Sequence, residues 1–212
     1  MTDTILYDYW RSSASYRLRI ALNIADIDYR AVSVDLVQAA HKSPAHLARN
    51  PQGLVPVLEI DGHRFTQSLA ILEYLNDTRN LGLLPNDPSE AAHVRALAHS
   101  VAVDVHPVCN LGVVNHVAQL LPENGTAKID WMRHFIPAGL EAFEALLAPF
   151  EQSPYCCGAS PSLADICLIP QLYNAHRWGV DISEMPRILA VEAACADHPA
   201  FAAAAPDQVK PT

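Results

Sequence analysis

The chain has 212 residues, half of them hydrophobic and only 17% charged, enough to bury a substantial core and too apolar for a disordered segment. A formal net charge of -9 argues against nucleic acid as a partner, since a phosphate backbone demands clustered Lys and Arg. It also means that any anionic substrate must be captured by a few local arginines against the overall field.

Ile5 to Tyr9 predicts a short strand. From Ser15 to Ala25 the pattern turns helical, with Leu18, Leu22 and Ala25 at three- and four-residue spacing and Arg17 and Arg19 on other faces. Tyr29 to Leu36 returns to strand alternation through Val32 and Val34. After a polar stretch, Val55 to Ile60 predicts a strand, Asp61-Gly62 a hairpin turn, and Arg64 to Thr66 a short return strand. Ser68 is placed to cap a helix through Leu69, Leu72 and Leu75. The order is β-α-β-(α)-β-β-α, a βαβ unit followed by a hairpin and a covering helix.

Asn80 to Pro88 carries Gly82, Pro85 and Pro88 and predicts a linker. No strand pattern follows it. Val94, Leu97, Ala98, Val101 and Val105 share one helical face, and Trp131, Phe135, Phe143, Leu146 and Leu147 line another helix, kinked at Pro137. Ser162-Leu163-Ala164-Asp165 opens a third helix with a capping box, which assigns Asp165 to folding rather than to catalysis. The expected fold class is an α/β N-terminal domain over 1–82 followed by an all-α domain over 88–212.

Met1 to Tyr9 lacks the basic and apolar regions of a signal peptide, and no window approaches the ~18 apolar residues of a membrane span. Cysteines stand at 109, 156, 157, 167 and 195. They are odd in number, with no CxxC and one adjacent pair, a pattern that fits a reducing cytosol better than a disulfide framework or a zinc site. The ten histidines form no HExxH, and no metal is expected.

Three features of the N-terminal half carry chemistry. The turn Trp10-Arg11-Ser12-Ser13-Ala14-Ser15 places hydroxyls at a helix N-terminus, where free N–H groups and the macrodipole lower the pKa of a docked thiol. Val55-Pro56 is either a strand-opening proline or a cis bond that leaves the Val55 backbone free for an extended peptide. Gln67-Ser68 opens another helix, where a hydroxyl and N–H groups can hold a carboxylate. Capping explains each alone, but together they describe a site for a small thiol peptide.

The run Ser12-Ser13-Ala14-Ser15-Tyr16-Arg17-Leu18-Arg19-Ile20-Ala21-Leu22 resembles the signature SSCSxRVRIAL of zeta-class glutathione transferases. The resemblance continues through Asn50-Pro51, Val55-Pro56, Gln67-Ser68-Leu69-Ala70-Ile71, Leu83-Leu84-Pro85, Leu163-Ala164-Asp165 and Asn174-Ala175-His176-Arg177, nearly the whole chain. It implies the glutathione transferase fold, thioredoxin-like then all-α, with glutathione as cofactor, a homodimer and a cytoplasmic location. It also implies glutathione-dependent cis–trans isomerisation of maleylacetoacetate to fumarylacetoacetate in tyrosine and phenylalanine catabolism. In that chemistry the glutathione thiolate adds to the double bond, the new single bond rotates and the thiolate leaves. Such a site needs a thiolate and a positive cradle for a dicarboxylate.

Carried onto this chain, the resemblance assigns Ser12 to the glutathione sulfur with Ser13 in support. His41 falls at the glycyl end, Val55 and Pro56 at the cysteinyl backbone, and Gln67 and Ser68 at the γ-glutamyl group. His106 and Asn110, Leu111 and Gly112 align with a site-lining segment. Arg11 and Arg177 are assigned to the substrate carboxylates. Arg17 and Arg19 are expected in structural ion pairs or a subunit contact. Ala14 stands where the signature has Cys, which speaks against the relatives that dehalogenate hydroquinones. Alternatives are maleylpyruvate isomerase, some of which carry an arginine near 110–112 that this chain lacks, a general glutathione transferase, and a non-catalytic binding protein.

Overall fold

In the computed structural model, which describes residues 4–150 and 152–211, the chain forms two compact units. One runs to Gly82 and takes in the residues from His198 onward; the other spans Leu83–Asp197.

The first unit begins with β1 (Ile5–Asp8), α1 (Ser13–Ile24) and β2 (Arg30–Ser33). A 3-10 turn (Ala40–Lys42) and the short α2 (Pro44–Leu47) lead to the hairpin β3 (Val57–Ile60) and β4 (His63–Thr66), then α3 (Ser68–Arg79). The sheet order is β2-β1-β3-β4, with β1 parallel to β2 and antiparallel to β3. Asp61 and Gly62 turn the hairpin with positive φ at both residues, 54° and 79°, the geometry that matches the strands' own twist. Leu18, Ile20 and Leu22 of α1, Leu58 of β3 and Ile71, Leu72 and Leu75 of α3 are all fully buried. Burial of an aliphatic side chain of this size contributes about 1.5–3 kcal/mol, so this layer fixes α1 and α3 on the sheet.

The residues from His198 form α9 (Pro199–Ala204) and α10 (Pro206–Val209). The expected helical domain over 88–212 included them, but they belong to the first unit, where α9 packs on α1 and α10 on α9. Phe201 and Ala204 are buried there, and Asn23 Nδ2 donates to the Ala200 carbonyl at 3.0 Å. The covering of α1 on this side explains why its polar-looking positions are internal.

The second unit is helical: α4 (Pro88–His99), a π-helical segment (Ser100–Val105), α5 (Leu111–Leu120), α6 (Ala127–Leu146), α7 (Leu163–Arg177) and α8 (Pro186–Ala196). Pro137 lies inside α6 without ending it. Helix α7 is the spine of this unit, with Leu163, Ile166, Cys167, Leu168, Leu172 and Ala175 buried. No helix among the described residues is long and apolar enough to cross a membrane.

Candidate functional site

The register of the sheet gathers the N-terminal candidates at one end. Tyr7 pairs with Val57 and Val57 with Thr66, so the end of β1, the start of β3 and the end of β4 lie side by side. Asp8 pairs with Ser33 in the parallel direction, so β2 finishes there as well. The turn to Ser12, Val55-Pro56, Gln67-Ser68 and the stretch that carries His41 therefore all leave the sheet at the same edge.

Ser12 is half-buried and caps α1. Its Oγ accepts from the Ser15 N–H at 3.3 Å, and its N–H donates to the Tyr9 carbonyl at 2.8 Å. As a cap the hydroxyl is an acceptor, which leaves its own proton to donate to an anion at the helix N-terminus. Ser13 is the first helical residue. Arg11 is half-buried, with its guanidinium 5.1 Å from the Trp10 ring centroid.

The Val55-Pro56 bond is cis. The preceding Leu54 carbonyl is taken by His46 Nε2 at 2.9 Å and by Asn50 Nδ2 at 3.0 Å. The Val55 N–H and carbonyl have no partner among the described residues, so this stretch offers an extended peptide a backbone to pair with.

Gln67 stands at the start of α3. It has φ 68° and ψ 106°, a conformation costing about 1–3 kcal/mol for a residue with a Cβ. Gln67 Nε2 donates to Gln52 Oε1 at 2.8 Å. Ser68 was expected to cap α3, but it is the first residue of the helix, and Gln67 occupies the cap with no side-chain hydrogen bond. The Ser68 hydroxyl has no capping duty and accepts instead from the buried Arg17 Nη1 at 3.1 Å. A strained residue, a buried hydroxyl and a buried guanidinium thus stand at one helix start, a setting for a carboxylate.

His41 sits in the 3-10 turn, half-buried, and its Nδ1 has no hydrogen-bond partner among the described residues. Burial first, then Lys42 and His46, lower its pKa from the ordinary 6.5.

His106, Asn110, Leu111, Gly112 and Arg177 belong to the second unit. Asn110 caps α5, its Oδ1 accepting from the Val113 N–H at 3.0 Å. Leu111 is exposed and Gly112 follows it on the surface. Arg177 ends α7, exposed, with its guanidinium 4.9 Å from the Trp178 ring centroid.

The Ser162–Asp165 capping box is present. Asp165 Oδ2 accepts from the Ser162 N–H at 2.8 Å and its hydroxyl at 2.6 Å, and Oδ1 accepts from the Cys156 N–H at 2.9 Å. All five cysteines are free. Burial pushes the Cys109 thiol up to about 11 and the Cys157 thiol up to about 12, so neither is a nucleophile at neutral pH. No cluster that could hold a metal occurs among the described residues. A cavity of about 660 Å³ lies within the second unit, between α4, the end of α6 and the loop at 153–159. It contains none of the expected site residues.

Sequence reasoning expected Arg17 and Arg19 in structural pairs but not the partners that complete them. Arg19 is buried in an internal ion pair with Asp8 at 2.8 Å, which is the structural pairing expected, and Arg17 reaches the Ser68 hydroxyl. Their two-residue spacing points them to different sides of α1, and only the packing on both sides makes each internal.

Family models place residues 2–77 with the glutathione S-transferase N-terminal domain and residues 134–204 with the C-terminal domain. The chain is 55% identical over 210 residues to a maleylacetoacetate isomerase of Rhizobium meliloti (strain 1021), covering 99% of each chain. A solved structure described as the holo form of maleyl pyruvate isomerase, a bacterial zeta-class enzyme, superposes with a TM-score of 0.94 at 39% identity, covering 98% of this chain and 99% of that one. A maleylacetoacetate isomerase of Anaeromyxobacter dehalogenans 2CP-1, solved with glutathione in its active site, gives 0.87 at 39% identity, covering 98% and 97%.

Proposed function

Because the chain belongs to the glutathione S-transferase family, we propose that it is a glutathione-dependent isomerase converting maleylacetoacetate to fumarylacetoacetate in tyrosine and phenylalanine catabolism. The observation that carries this is the convergence of Ser12, Val55 and Gln67-Ser68 at one edge of the sheet. It suits a γ-glutamyl peptide with a thiol, and the 55% identity to a maleylacetoacetate isomerase points to the substrate.

When bound, glutathione would supply a thiolate able to bond one carbon of the maleyl double bond and to leave again after rotation, so it would not be consumed. Ser12 donates its hydroxyl proton toward the sulfur, and the N-terminus of α1 adds its positive end. Val55 pairs its backbone with the cysteinyl residue, and Ser68 and Gln67 hold the γ-glutamyl group. The family resemblance assigns Arg11 and Arg177 each to a substrate carboxylate, for which a planar, two-pronged donor suits an acidic protein that has no long-range attraction to offer.

Purified protein is expected to isomerise maleylacetoacetate with added glutathione and to be inactive without it. Full activity in glutathione-free buffer would overturn the proposal, and faster turnover of maleylpyruvate would reassign the substrate. Arg11→Met and Arg177→Met are each expected to raise KM or lower kcat for the diacid while glutathione titrations change little. An Arg177→Met enzyme with wild-type constants removes Arg177 from the site.

His41 gives a pH signature. Because folding depresses its pKa below 6.5, the fold favours the neutral ring. That contribution is full above the unfolded pKa and is lost as pH falls through the folded value. Thermal melts of ligand-free wild type and His41→Gln should therefore diverge as pH drops below about 6.5, with wild type losing more. A glycyl carboxylate docked on the ring reverses the preference. Calorimetry in two buffers should show proton uptake on glutathione binding in wild type and less in the variant.

We also infer a homodimer, the commonest closed assembly and the habit of this family. Light scattering is expected to give twice the chain mass of 23.1 kDa. Five free cysteines fit a reducing cytoplasm.

A further inference from the structure

The buried guanidinium of Arg19, 1% exposed, has every nitrogen committed. Nη1 donates to both oxygens of Asp8 at 2.9 and 2.8 Å. Nη2 donates to the Trp10 carbonyl at 2.9 Å. Nε donates to the Ala204 carbonyl at 2.9 Å. The three acceptors come from different parts of the chain. Asp8 ends β1, Trp10 belongs to the turn that delivers Ser12, and Ala204 is the last residue of α9, where a helix carbonyl has no intrahelical partner.

A flat fork with fixed donors ties these groups in one plane. The same C-terminal segment also reaches the Trp10 ring. Lys210 Nζ lies 5.3 Å from the Trp10 ring centroid, and the Arg11 guanidinium lies 5.1 Å from it. Trp10 is therefore contacted through its carbonyl by Arg19 and at its ring by two cations, with Tyr9 beside it at 6.0 Å between centroids. One peptide further on stands Ser12, whose N–H closes the turn on the Tyr9 carbonyl. A hydroxyl that must meet a sulfur anion tolerates only small displacement before its hydrogen bond is lost.

We propose that Arg19 is a positioning residue for the isomerase, and that α9, α10 and Lys210 are part of the same device. By fastening the Trp10 carbonyl to Asp8 and to the end of α9, Arg19 holds the turn so that the Ser12 hydroxyl faces the glutathione sulfur. The C-terminal segment is thus a strap on the thiol-activating turn. This rests on the glutathione role given to Ser12 above.

The test uses the full-length enzyme with Arg19→Lys. Lysine keeps the charge beside Asp8 but cannot reach three acceptors in one plane. In ligand-free protein, amide hydrogen exchange over 11–13 should accelerate by about tenfold while β3 and α3 keep their protection. With glutathione bound, the pH midpoint of the thiolate's ultraviolet absorbance should rise by about one unit, with kcat at neutral pH down about tenfold and glutathione Kd within about twofold. Should Arg19→Lys not fold, Lys210→Ala, a change at an exposed position, is read the same way and is expected to move both signals in the same direction by less. Unmoved exchange and an unmoved thiolate midpoint in the folded variant overturn the proposal. Failure of wild type to bind glutathione or to show a thiolate band would instead overturn the function of Ser12 itself, so the two failures are distinct.

Discussion

Replacing Ser12 with alanine is expected to lower isomerase activity roughly ten- to a hundred-fold while leaving the protein folded, because a hydrogen bond to a charged group contributes about 1.5–3 kcal/mol. Ser12 also caps α1, so some loss of stability, on the order of 1 kcal/mol, accompanies the substitution. The two roles separate with Ser12→Asp. Aspartate caps as well as serine does, but it brings a negative charge against a thiolate. Its melting temperature should match or exceed that of Ser12→Ala, and its activity should be lower still. An aspartate variant more active than the alanine variant would mean that the hydroxyl serves only the helix. Ser13→Ala should cost less than Ser12→Ala, since Ser13 lies inside the first turn rather than at the cap. Steady-state kinetics and thermal melts of the three variants provide the comparison.

The parts of this molecule that follow from local pattern were readable in advance. β1, α1, the Asp61-Gly62 hairpin and α3 come from alternation, helical spacing and turn chemistry, each acting over a few residues. The Ser162–Asp165 box was readable for the same reason, as its hydrogen bonds span three positions. What escaped depends on contacts distant in sequence. The ion pair of Arg19 was expected, but its third acceptor was not, because α9, 185 positions away, supplies the Ala204 carbonyl. The strained backbone of Gln67 has no sequence mark, because a glutamine at positive φ is imposed by its surroundings. The π-helical segment at Ser100–Val105 adds a residue to a turn without breaking the apolar pattern, so periodicity passes over it.

Asp165→Ala is expected to cause the largest loss of stability of any single change considered, about 3–5 kcal/mol. The carboxylate accepts from three donors: the Ser162 N–H, the Ser162 hydroxyl and the Cys156 N–H. Asp165 is 0% exposed and Ser162 only 6%, so water cannot replace the missing acceptor without opening the unit. Each stranded buried donor costs about 1–3 kcal/mol. The effect spreads because α7 is the buried spine of its unit, and its first turn is where the box sits. Burial pushes the Asp165 carboxyl pKa up, and the Cys156 and Ser162 donors pull against that shift. Asp165→Asn keeps the size and one acceptor oxygen but turns an amide toward an N–H, and should lie between wild type and Asp165→Ala. For a chain of this length the alanine variant should melt roughly 10 °C lower, at about 2–4 °C per kcal/mol. What distinguishes folding from catalysis is the activity of the folded fraction. At low temperature, kcat per folded molecule of Asp165→Asn should stay within about twofold of wild type, a change below 1 kcal/mol. A stable Asp165→Asn protein with little activity would move Asp165 from the helix cap into the chemistry.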